Sequence, residues 1–401
     1  MVTMKPDKSF ERYTKQVGLR HFRSEEEFEK YLRKRYGALV ATSLLETITR
    51  RAHGEEIDIY ELIHQSLSLS LDCLGAYQST LHKNYIEWLL RQDFHPRRIL
   101  DIGCGNGFLA CFYGSLFPDS EIIGIDTCPA AIRCADELKT KLDTQNVRFI
   151  EVREDEAFAS LEGVFDLITM VTMAPELFSV PQADNSLFMS EYLKKQLTVT
   201  PPQKLQRIES LLAADRAALV SVDRWSSYGY CWWTVMLQKS GFATDLRQSA
   251  QVPDESCGRK LKPATILVSQ KKEKPVLADP DDIIGFWLFN KFRENSENVK
   301  SLAISDEVAE AGLLYINPKK FRFGIAVKDA SGGIAARLEV WQAGPLVFVF
   351  QHGPGSHRVL EMIPSAFYSN AVDRVRALAN DRPKGFTMSE YNEQEVDWDA
   401  N

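Results

Sequence analysis

Residues 99–114 read "ILDIGCGNGFLACFYG", and this stretch decides the fold. An apolar run reaches Asp101, glycines follow at every second position as Gly103, Gly105 and Gly107, and a helix-like stretch comes next. Glycine accepts positive φ and lets the backbone approach a ligand without an intervening Cβ. A helix that begins directly after such a turn directs its free N–H groups at the same space. The pattern predicts a strand, a tight ligand-binding turn and a helix.

Five further apolar runs follow the first one, and amphipathic stretches separate them. Strands that alternate with helical patterns predict a parallel sheet with helices on both faces. The six predicted strands are "RILDIG", "EIIGID", "VRFIEV", "FDLITMV", "AALVSVD" and "ATILVSQ". Ligands of such sheets bind at the carboxyl ends of the strands, beside the topological switch point. The glycine turn follows the first strand and is therefore predicted to hold a cofactor.

The spacing of the glycines distinguishes two classes of cofactor. Dinucleotide-binding folds use G-x-G-x-x-G, which sets a pyrophosphate against the helix N-terminus. Here the third glycine comes one residue earlier, and Asp101 stands two residues before Gly103. A carboxylate is a poor neighbour for a pyrophosphate and suits a ligand that presents a cationic amine. A nicotinamide-dependent oxidoreductase is therefore the less favoured alternative.

The segment "LDIGCGNG" resembles motif I of the class I S-adenosylmethionine-dependent methyltransferases, in which an acidic residue precedes Gly-x-Gly-x-Gly after the first strand. The later elements also arrive in the order of that family, over about residues 98–270. The resemblance implies an α/β fold with a Rossmann-like, doubly wound, mostly parallel sheet. It further implies S-adenosylmethionine as the cofactor and methyl transfer as the activity.

The resemblance also implies which residues bind the cofactor. Asp126 ends the second strand, where a carboxylate can accept both ribose hydroxyls; the alternative is that it caps the next helix. Either Glu154 or Asp155 would reach the adenine amine, and Cys104 is expected to be a small turn residue rather than a nucleophile. The expected cofactor residues are Asp101, Gly103, Cys104, Gly105, Gly107, Asp126, Thr127, Glu154 and Met170.

No catalytic residue can be assigned from the sequence. Methyl transfer from a sulfonium is a one-step displacement, so the enzyme mainly aligns the acceptor and excludes water. A general base is needed only when the acceptor must lose a proton. Because no histidine lies between His95 and His352, an imidazole base would come from His21, His53, His64, His82, His95, His352 or His357. A cofactor-binding regulatory or scaffold protein without chemistry is the second hypothesis.

The segments on both sides of the predicted cofactor domain differ from it in their predicted secondary structure. Residues 1–95 read as a helical lead-in: a capping box at Ser24 opens a helical pattern that runs to Gly54, and "SLSLSL" has helical flanks. Residues 96–272 form the predicted S-adenosylmethionine-binding domain. The linker "KKEKPVLADPDD" then leads to a smaller α+β domain over residues 273–401, with the strands "RFGIAVKD", "IAARLEVWQ" and "PLVFVFQH", a closing helix and a mobile acidic tail from Asp381.

The net charge and the absence of one motif limit the classes of methyl acceptor that are expected. The 401 residues carry a formal net charge of −7, whereas a protein that holds a phosphate backbone usually has a basic surplus. Residues 170–176, "MVTMAPE", also lack the Asn/Asp-Pro-Pro-aromatic motif of the amino-methylating nucleic-acid enzymes. A small molecule or a protein is the expected acceptor, and nucleic acid is disfavoured. The apolar strands beyond the linker favour a homo-oligomer through the C-terminal domain.

The cysteine pattern and the apolar windows bear on compartment and metal binding. None of the seven cysteines has Cys-x-x-Cys spacing, so neither a zinc site nor a disulfide scaffold is expected. No apolar window reaches the length of a membrane span, and the N-terminus has no signal-peptide core. A cytoplasmic protein with no bound metal is the expectation.

Overall fold

The computed structural model describes most of the chain in two compact units. The first unit comprises residues 1–179, 201–224 and 237–276, and the second comprises residues 180–200, 225–236 and 277–401. The described residues are 6–53, 55, 57–153, 158, 161–180, 196, 198–214, 217–225, 227–245, 248–271, 302–305, 320–343, 346–352, 359–364, 368–381 and 384–392. No helix within these ranges has both the length and the apolar character needed to cross a bilayer.

A mostly parallel sheet lies at the centre of the first unit. Its strands are β1 (Arg98–Ile102), β2 (Glu121–Asp126), β3 (Val147–Glu151), β4 (Leu167–Val171), β5 (Ala218–Asp223), β6 (Phe242–Thr244), β7 (Ala250–Val252) and β10 (Ala264–Lys271). Strands β8 (Glu255–Ser256) and β9 (Arg259–Lys260) form a separate short hairpin. The order is β3-β2-β1-β4-β5-β10-β6, with β7 also paired to β10. Strands β1 to β5 pair in parallel, and β10 is antiparallel to its neighbours. The predicted Rossmann-like sheet is confirmed, and its order reverses between β1 and β4.

Ten helices of the described chain belong to the first unit. They are α1 (Pro6–Val17), α2 (Glu25–Tyr36), α3 (Ala38–Ala52), α4 (Tyr60–Ile63), α5 (Leu67–Tyr77), α6 (Ser79–Leu89), α7 (Phe108–Leu116), α8 (Pro129–Leu142), α9 (Ala174–Leu177) and α10 (Gln203–Leu211). A further helix, α11 (Ser227–Lys239), follows β5. Helices α7 and α8 make the crossovers from β1 to β2 and from β2 to β3, as a parallel sheet requires.

The N-terminal helices share a core with the sheet. One hydrophobic cluster contains Phe10 of α1 and Tyr85 of α6 together with Ile99 of β1 and Phe108 of α7. The Tyr13 hydroxyl donates to the Phe108 carbonyl oxygen at 2.6 Å, so α1 is fixed to the start of α7. The predicted helical segment is confirmed, and it packs within the same unit as the sheet.

Two local predictions for this helical segment have different outcomes. The Ser24 side chain accepts the Glu27 N–H at 3.1 Å, which confirms the predicted cap. The helical pattern does not continue unbroken from there, because Gly37 has a φ of +89° and separates α2 from α3. The "SLSLSL" stretch is helical, as predicted, and forms the start of α5. In this segment the helical flanks prevail over the alternating polarity of the six residues.

The second unit contains an antiparallel sheet with a helix on one face. Its strands are β11 (Leu302–Ser305), β12 (Lys320–Lys328), β13 (Ile334–Ala343), β14 (Leu346–His352), β15 (Val359–Pro364) and β16 (Thr387–Tyr391), in the order β11-β15-β14-β13-β12-β16. Helix α12 (Tyr368–Asn380) packs Ala371, Val375 and Ala379 against valine, leucine and isoleucine side chains of β12, β13 and β14. The predicted C-terminal α+β domain is confirmed in these elements.

Part of the acidic segment from Asp381 forms a strand. The mobility expected of this tail stays a prediction, and within it Thr387–Tyr391 is the edge strand β16, which pairs with β12 over five residues. The Arg376 guanidinium donates to both carboxylate oxygens of Glu390, and the Tyr391 hydroxyl donates to Glu339 at 2.6 Å. Backbone pairing with a preformed sheet fixes this segment despite its polar composition.

A glycine in α5 allows a test of the packing between the N-terminal helices. A Cβ on Gly75 would lie 1.8 Å from the Arg20 carbonyl oxygen, a backbone atom that cannot rotate away. We expect Gly75→Ala to lower the free energy of unfolding by about 1–3 kcal/mol, despite the better helix propensity of alanine. Urea denaturation followed by circular dichroism measures this. The exposed helical substitution Lys83→Ala should change stability by less than about 0.5 kcal/mol, and equal stability of the two variants would contradict the close approach.

Candidate cofactor-binding site

The glycine turn lies at the carboxyl end of β1, next to the point where the strand order reverses. Gly103, Gly105 and Gly107 have φ values of +72°, +53° and +76°. The N–H groups of Gly103 and Cys104 both donate to the Ile125 carbonyl oxygen, at 2.8 and 3.0 Å. These bonds hold the turn against the end of β2.

The three glycines differ in what a side chain would meet. A Cβ on Gly103 would lie 2.1 Å from Met173 Cγ, and a Cβ on Gly107 would lie 2.6 Å from the Phe149 ring. A Cβ on Gly105 would meet nothing within 4 Å. Gly103 and Gly107 therefore permit close packing within the protein, whereas Gly105 borders open space.

That space belongs to a cavity of about 430 Å³ within the first unit. Its walls come from the glycine turn, from the ends of β2 and β4, and from the N-terminal helices. The polar lining includes Arg51, Tyr60, His64, Ser70, Gln78, His82, Asp101, Asn106, Asp126, Thr127, Thr172, Glu176 and Arg224. A cavity of this volume is in the range that small-molecule cofactors occupy.

The structure brings most of the predicted cofactor residues to this cavity. Its lining contains Asp101, Gly103, Cys104, Gly105, Asp126 and Thr127. Gly107 serves as the N-cap of α7. Met170 is fully buried in β4, and Val171, Thr172 and Met173 provide the cavity wall at that strand end. Glu154 and Asp155 lie outside the described residues.

Asp126 connects the glycine turn to the start of α8. Its Oδ2 accepts the Gly105 N–H at 2.8 Å and its Oδ1 accepts the Cys128 N–H at 2.9 Å. Cys128 is the N-cap of α8 and makes no side-chain cap bond, so Asp126 acts on the helix start from two residues upstream. Each carboxylate oxygen can accept a second hydrogen bond. Burial raises the pKa of Asp126, and the two N–H donors oppose that rise.

Asp101 is the most buried carboxylate of the cavity wall, with 3% of its surface exposed. Its Oδ1 accepts the Thr169 hydroxyl at 2.7 Å. Burial raises the pKa of Asp101 to about 7, and the neighbouring Asp126 charge adds to the rise, while the Thr169 hydrogen bond opposes it. A cationic group beside Asp101 would favour its ionised form.

Two histidines of the N-terminal helices line the cavity. His64 Nδ1 lies 2.8 Å from Ser70 Oγ, which also accepts the Asn106 side-chain amide at 2.7 Å. Burial lowers the pKa of His64 to about 4 and that of His82 to about 3, so both imidazoles are neutral at neutral pH. Among the described histidines, His64 and His82 are thus the two that line the cavity beside the glycine turn, and His357 lies outside the described residues.

Residues 95–240 match a family model described as "Methyltransferase domain". This part of the chain is a methyltransferase domain, as that family model describes it. The resemblance that "LDIGCGNG" indicates is thereby confirmed.

Curated relatives of the methyltransferase domain match parts of the chain. The release factor glutamine methyltransferase of Escherichia coli (strain K12) is 28% identical over 181 residues, which cover 43% of this chain and 62% of that protein. The ribosomal protein L11 methyltransferase of Thermosipho africanus (strain TCF52B) is 34% identical over 70 residues, 18% of this chain and 25% of that protein. The chain thus spans between a quarter and about three fifths of the length of these relatives.

Among solved structures, the ribosomal protein L11 methylase of Lactobacillus delbrueckii subsp. bulgaricus resembles the chain with a TM-score of 0.32. The two sequences are 14% identical, and the match covers 48% of this chain and 80% of the other.

Three polar residues of the cavity lining, Arg51, Tyr60 and Glu176, belong to no sequence motif. The Tyr60 hydroxyl lies 2.6 Å from Glu176 Oε2, and Arg51 forms an ion pair with the same carboxylate. The Arg51 guanidinium also lies 5.0 Å from the centre of the Tyr60 ring. Burial raises the pKa of Tyr60, and the Glu176 carboxylate adds to the rise. The three side chains join α3 and α4 to α9, directly after β4, and no local pattern could have indicated this pairing.

The backbone at the end of β4 is strained. Thr172 has a φ of +58°, and its N–H donates to the Val222 carbonyl oxygen at 2.7 Å. The Asp223 side chain, at the end of β5, accepts the Ala174 N–H at 3.2 Å. Left-handed conformations of residues other than glycine concentrate at functional sites, because the surrounding structure must impose them. The strain of Thr172 therefore fits the position of this strand end on the cavity wall.

The raised pKa of Asp101 predicts a pH dependence of stability. Between the pKa of an unfolded aspartate, about 4, and the folded value of about 7, the folded state holds a proton that the unfolded state has lost. The free energy of unfolding of the wild type should therefore fall over this range relative to Asp101→Asn, which cannot ionise. Urea denaturation of both proteins across the range measures the difference, with the exposed substitution Asp119→Asn as the matched control. A difference that is independent of pH would show that Asp101 is ionised throughout.

Proposed function

We propose that the protein transfers the methyl group of S-adenosylmethionine to a small-molecule or protein acceptor. The observation that carries the proposal is the arrangement of one glycine turn and two carboxylates, Asp101 and Asp126, around a single cavity. The family of residues 95–240 supports the same activity.

The cavity residues suit this cofactor chemically. Gly105 leaves room for a ligand at the turn, and Asp126 has lone pairs available for ribose hydroxyls. The buried Asp101 carboxylate suits the ammonium group of the cofactor's amino-acid tail. When bound, the cofactor supplies a methyl group that its sulfonium has already activated.

The protein's own residues would orient the ligands and exclude water. Helices α3 and α4 provide one wall of the cavity, where Arg51 and Tyr60 bind Glu176. Excluding water strengthens the electrostatic interactions within such a site. His64 and His82 lie in the cavity lining, but burial lowers their pKa values to about 4 and about 3, so both are weak bases and neither is assigned as a general base.

Charge and the named relatives support the acceptor class. By their names, two relatives methylate a release factor and ribosomal protein L11, which favours a protein acceptor, while the volume of the cavity also admits a small molecule. The net charge of −7 disfavours nucleic acid.

Six cysteines in the described part of the chain are free, which supports a reducing compartment such as the cytoplasm. A homo-oligomer through the C-terminal unit stays a prediction, which light scattering tests.

Cofactor selectivity is the first test of this function. Isothermal titration should show binding of S-adenosylmethionine and S-adenosylhomocysteine but not of NAD, because the turn lacks the dinucleotide spacing. Asp126→Ala should weaken S-adenosylhomocysteine binding by about 1.5–3 kcal/mol, as expected for hydrogen bonds to a charged group. The exposed substitution Asp119→Ala is the control. Binding of NAD alone would refute the proposal.

The open space at Gly105 gives a second test. Gly105→Ala should cost about 1–2 kcal/mol of stability, because a left-handed backbone disfavours Cβ, and should also weaken S-adenosylhomocysteine binding more than about tenfold. Gly332→Ala is a matched control: Gly332 has a φ of +85°, its Cβ would meet nothing within 4 Å, and it lies in the hairpin between β12 and β13. Thermal unfolding and titration of both variants should show similar losses of stability but a loss of affinity for Gly105→Ala alone. Unchanged affinity in Gly105→Ala would mean that the ligand lies elsewhere.

Methyl transfer itself requires a third measurement. Cofactor labelled on the methyl carbon is incubated with the protein and a host lysate, and label is followed into the macromolecular and small-molecule fractions. We expect transfer that depends on the protein and that Asp126→Ala reduces. Cofactor binding without any transfer would favour the regulatory or scaffold alternative.

A further inference from the structure

Helix α4 bridges the two segments that leave the sheet after β2 and after β4. On one side, the thiol of Cys128, the N-cap of α8, donates to Glu61 Oε1 at 3.7 Å. On the other side, the Tyr60 hydroxyl donates to Oε2 of Glu176 on α9 at 2.6 Å. Because β1 lies between β2 and β4 in the sheet, α4 lies over the glycine turn that follows β1. Tyr60 and Ile63 line the cavity, so α4 forms part of its wall.

Burial does little to hold α4 in this position. The helix has four residues, and none of them is buried, whereas nine of the 11 residues of the following helix α5 are buried. Leu62 and Ile63 pack against the neighbouring hydrophobic cluster but are only partly buried. Segments with few buried apolar contacts open locally at a lower free-energy cost than the core of a domain. The polar contacts of α4 therefore contribute much of what keeps it in place.

The strongest polar contacts of α4 form one cluster, Arg51, Tyr60 and Glu176, which we call the Glu176 latch. Arg51 forms an ion pair with Glu176, and its Nη2 donates to the Tyr60 hydroxyl oxygen at 3.2 Å. The side chains of Arg51 and Glu176 are 32% and 42% exposed, so the latch lies where the cavity meets solvent. Ion pairs with this exposure are worth little, because water and salt compete with them. The latch can therefore open at a small cost in free energy.

Glu176 also lies close to the strand ends where a cofactor is expected. Burial raises the pKa values of Asp126 and Asp223, and the charge of Glu176 adds to both rises. The carboxylate of Glu176 is therefore near the ends of both β2 and β5. A ligand that is bound at Asp126 would lie beside the latch and α4.

We propose that α4 is a strap across the cavity, and that release of the Glu176 latch opens it for exchange of cofactor and product. The inference rests on the proposed function, because that function places a ligand under the strap. Lids of this kind sequester a reaction from water and can limit the rate of product release. A latch that opens with and without ligand affects the rates of binding and release equally, and leaves the dissociation constant unchanged. A side chain that contacts the ligand changes mainly the dissociation rate.

Binding kinetics and hydrogen exchange test the strap on the full-length protein. Association and dissociation rates of S-adenosylhomocysteine are measured by surface plasmon resonance for the wild type, Glu176→Gln, Tyr60→Phe and the control Arg50→Ala. Arg50 is the neighbour of Arg51 on α3, and its exposed ion pair with Glu55 is local to the end of that helix. Hydrogen exchange of the α4 amides is followed by mass spectrometry without ligand, and melting temperatures confirm that each variant is folded.

Both latch variants should raise the association rate and the dissociation rate together, by about three- to fivefold, with the dissociation constant within about twofold of wild type. Hydrogen exchange of α4 should accelerate in the same variants, and Arg50→Ala should change neither. Added salt should also accelerate both rates of the wild type but not those of Glu176→Gln, because salt screens exposed ion pairs.

Other results overturn the strap. A faster dissociation with an unchanged association rate would show that the latch residues contact the ligand rather than gate it. Unchanged rates in both latch variants would show that the ligand enters by another route. Either result leaves the proposed function intact, because the wild type still binds the cofactor product. A wild type that does not bind S-adenosylhomocysteine contradicts the proposed function and the gating role with it, even where hydrogen exchange shows that α4 opens.

Discussion

The carbonyl oxygen of Ile125 and the carboxylate of Asp126 are the anchor on which the site depends. Together they accept the N–H groups of Gly103, Cys104 and Gly105, so the end of β2 fixes the turn after β1. Because β1 and β2 are neighbouring parallel strands, this anchor exists only when the sheet has formed in register. Asp126 also accepts the Cys128 N–H and so sets where α8 begins. One strand end thereby positions the turn, the following helix and one wall of the cavity.

Burial of ionisable groups is the second constraint on this site. Asp101 and Asp126 have raised pKa values and His64 and His82 have lowered ones, and the largest cause in each case is the loss of water around the charged form. Asp101 and both imidazoles therefore carry less charge at neutral pH than they would in water. A ligand that brings an ammonium to Asp101 would recover part of the ionisation free energy that burial removes. The site is thus better suited to a charged, polar ligand than to an apolar one.

The N-terminal helices complete the cavity rather than extend the sheet. The Tyr13–Phe108 and Tyr85–Tyr113 hydrogen bonds fix α1 and α6 to α7, and Ser70 joins His64 of the preceding turn to Asn106 of the glycine loop. These bonds are buried, where an unmade hydrogen bond would be costly. These bonds fix the position of the helices over the glycine turn. The side chains of the helices therefore determine which chemical groups of a ligand the cavity can bind.

The sequence by itself determined the features that arise within a few residues of one another. The alternation of short apolar runs and helical stretches specifies the parallel sheet, Gly103, Gly105 and Gly107 specify the turn, and Ser24 with Glu27 specifies a helix start. Periodicity and capping are local, so they can be read without knowledge of the fold.

Only the tertiary structure decided which residues from distant parts of the chain lie beside the glycine turn and the sheet. Arg51 and Glu176 are 125 positions apart, and Gln78 and Arg224 approach through the Tyr77 carbonyl. Met173 rather than Met170 reaches the turn because the chain leaves the sheet after Val171, and the tail strand β16 is fixed because β12 offers it an edge. Such contacts depend on how whole helices and strands pack. The residue type at one position does not predict which distant residue it will contact.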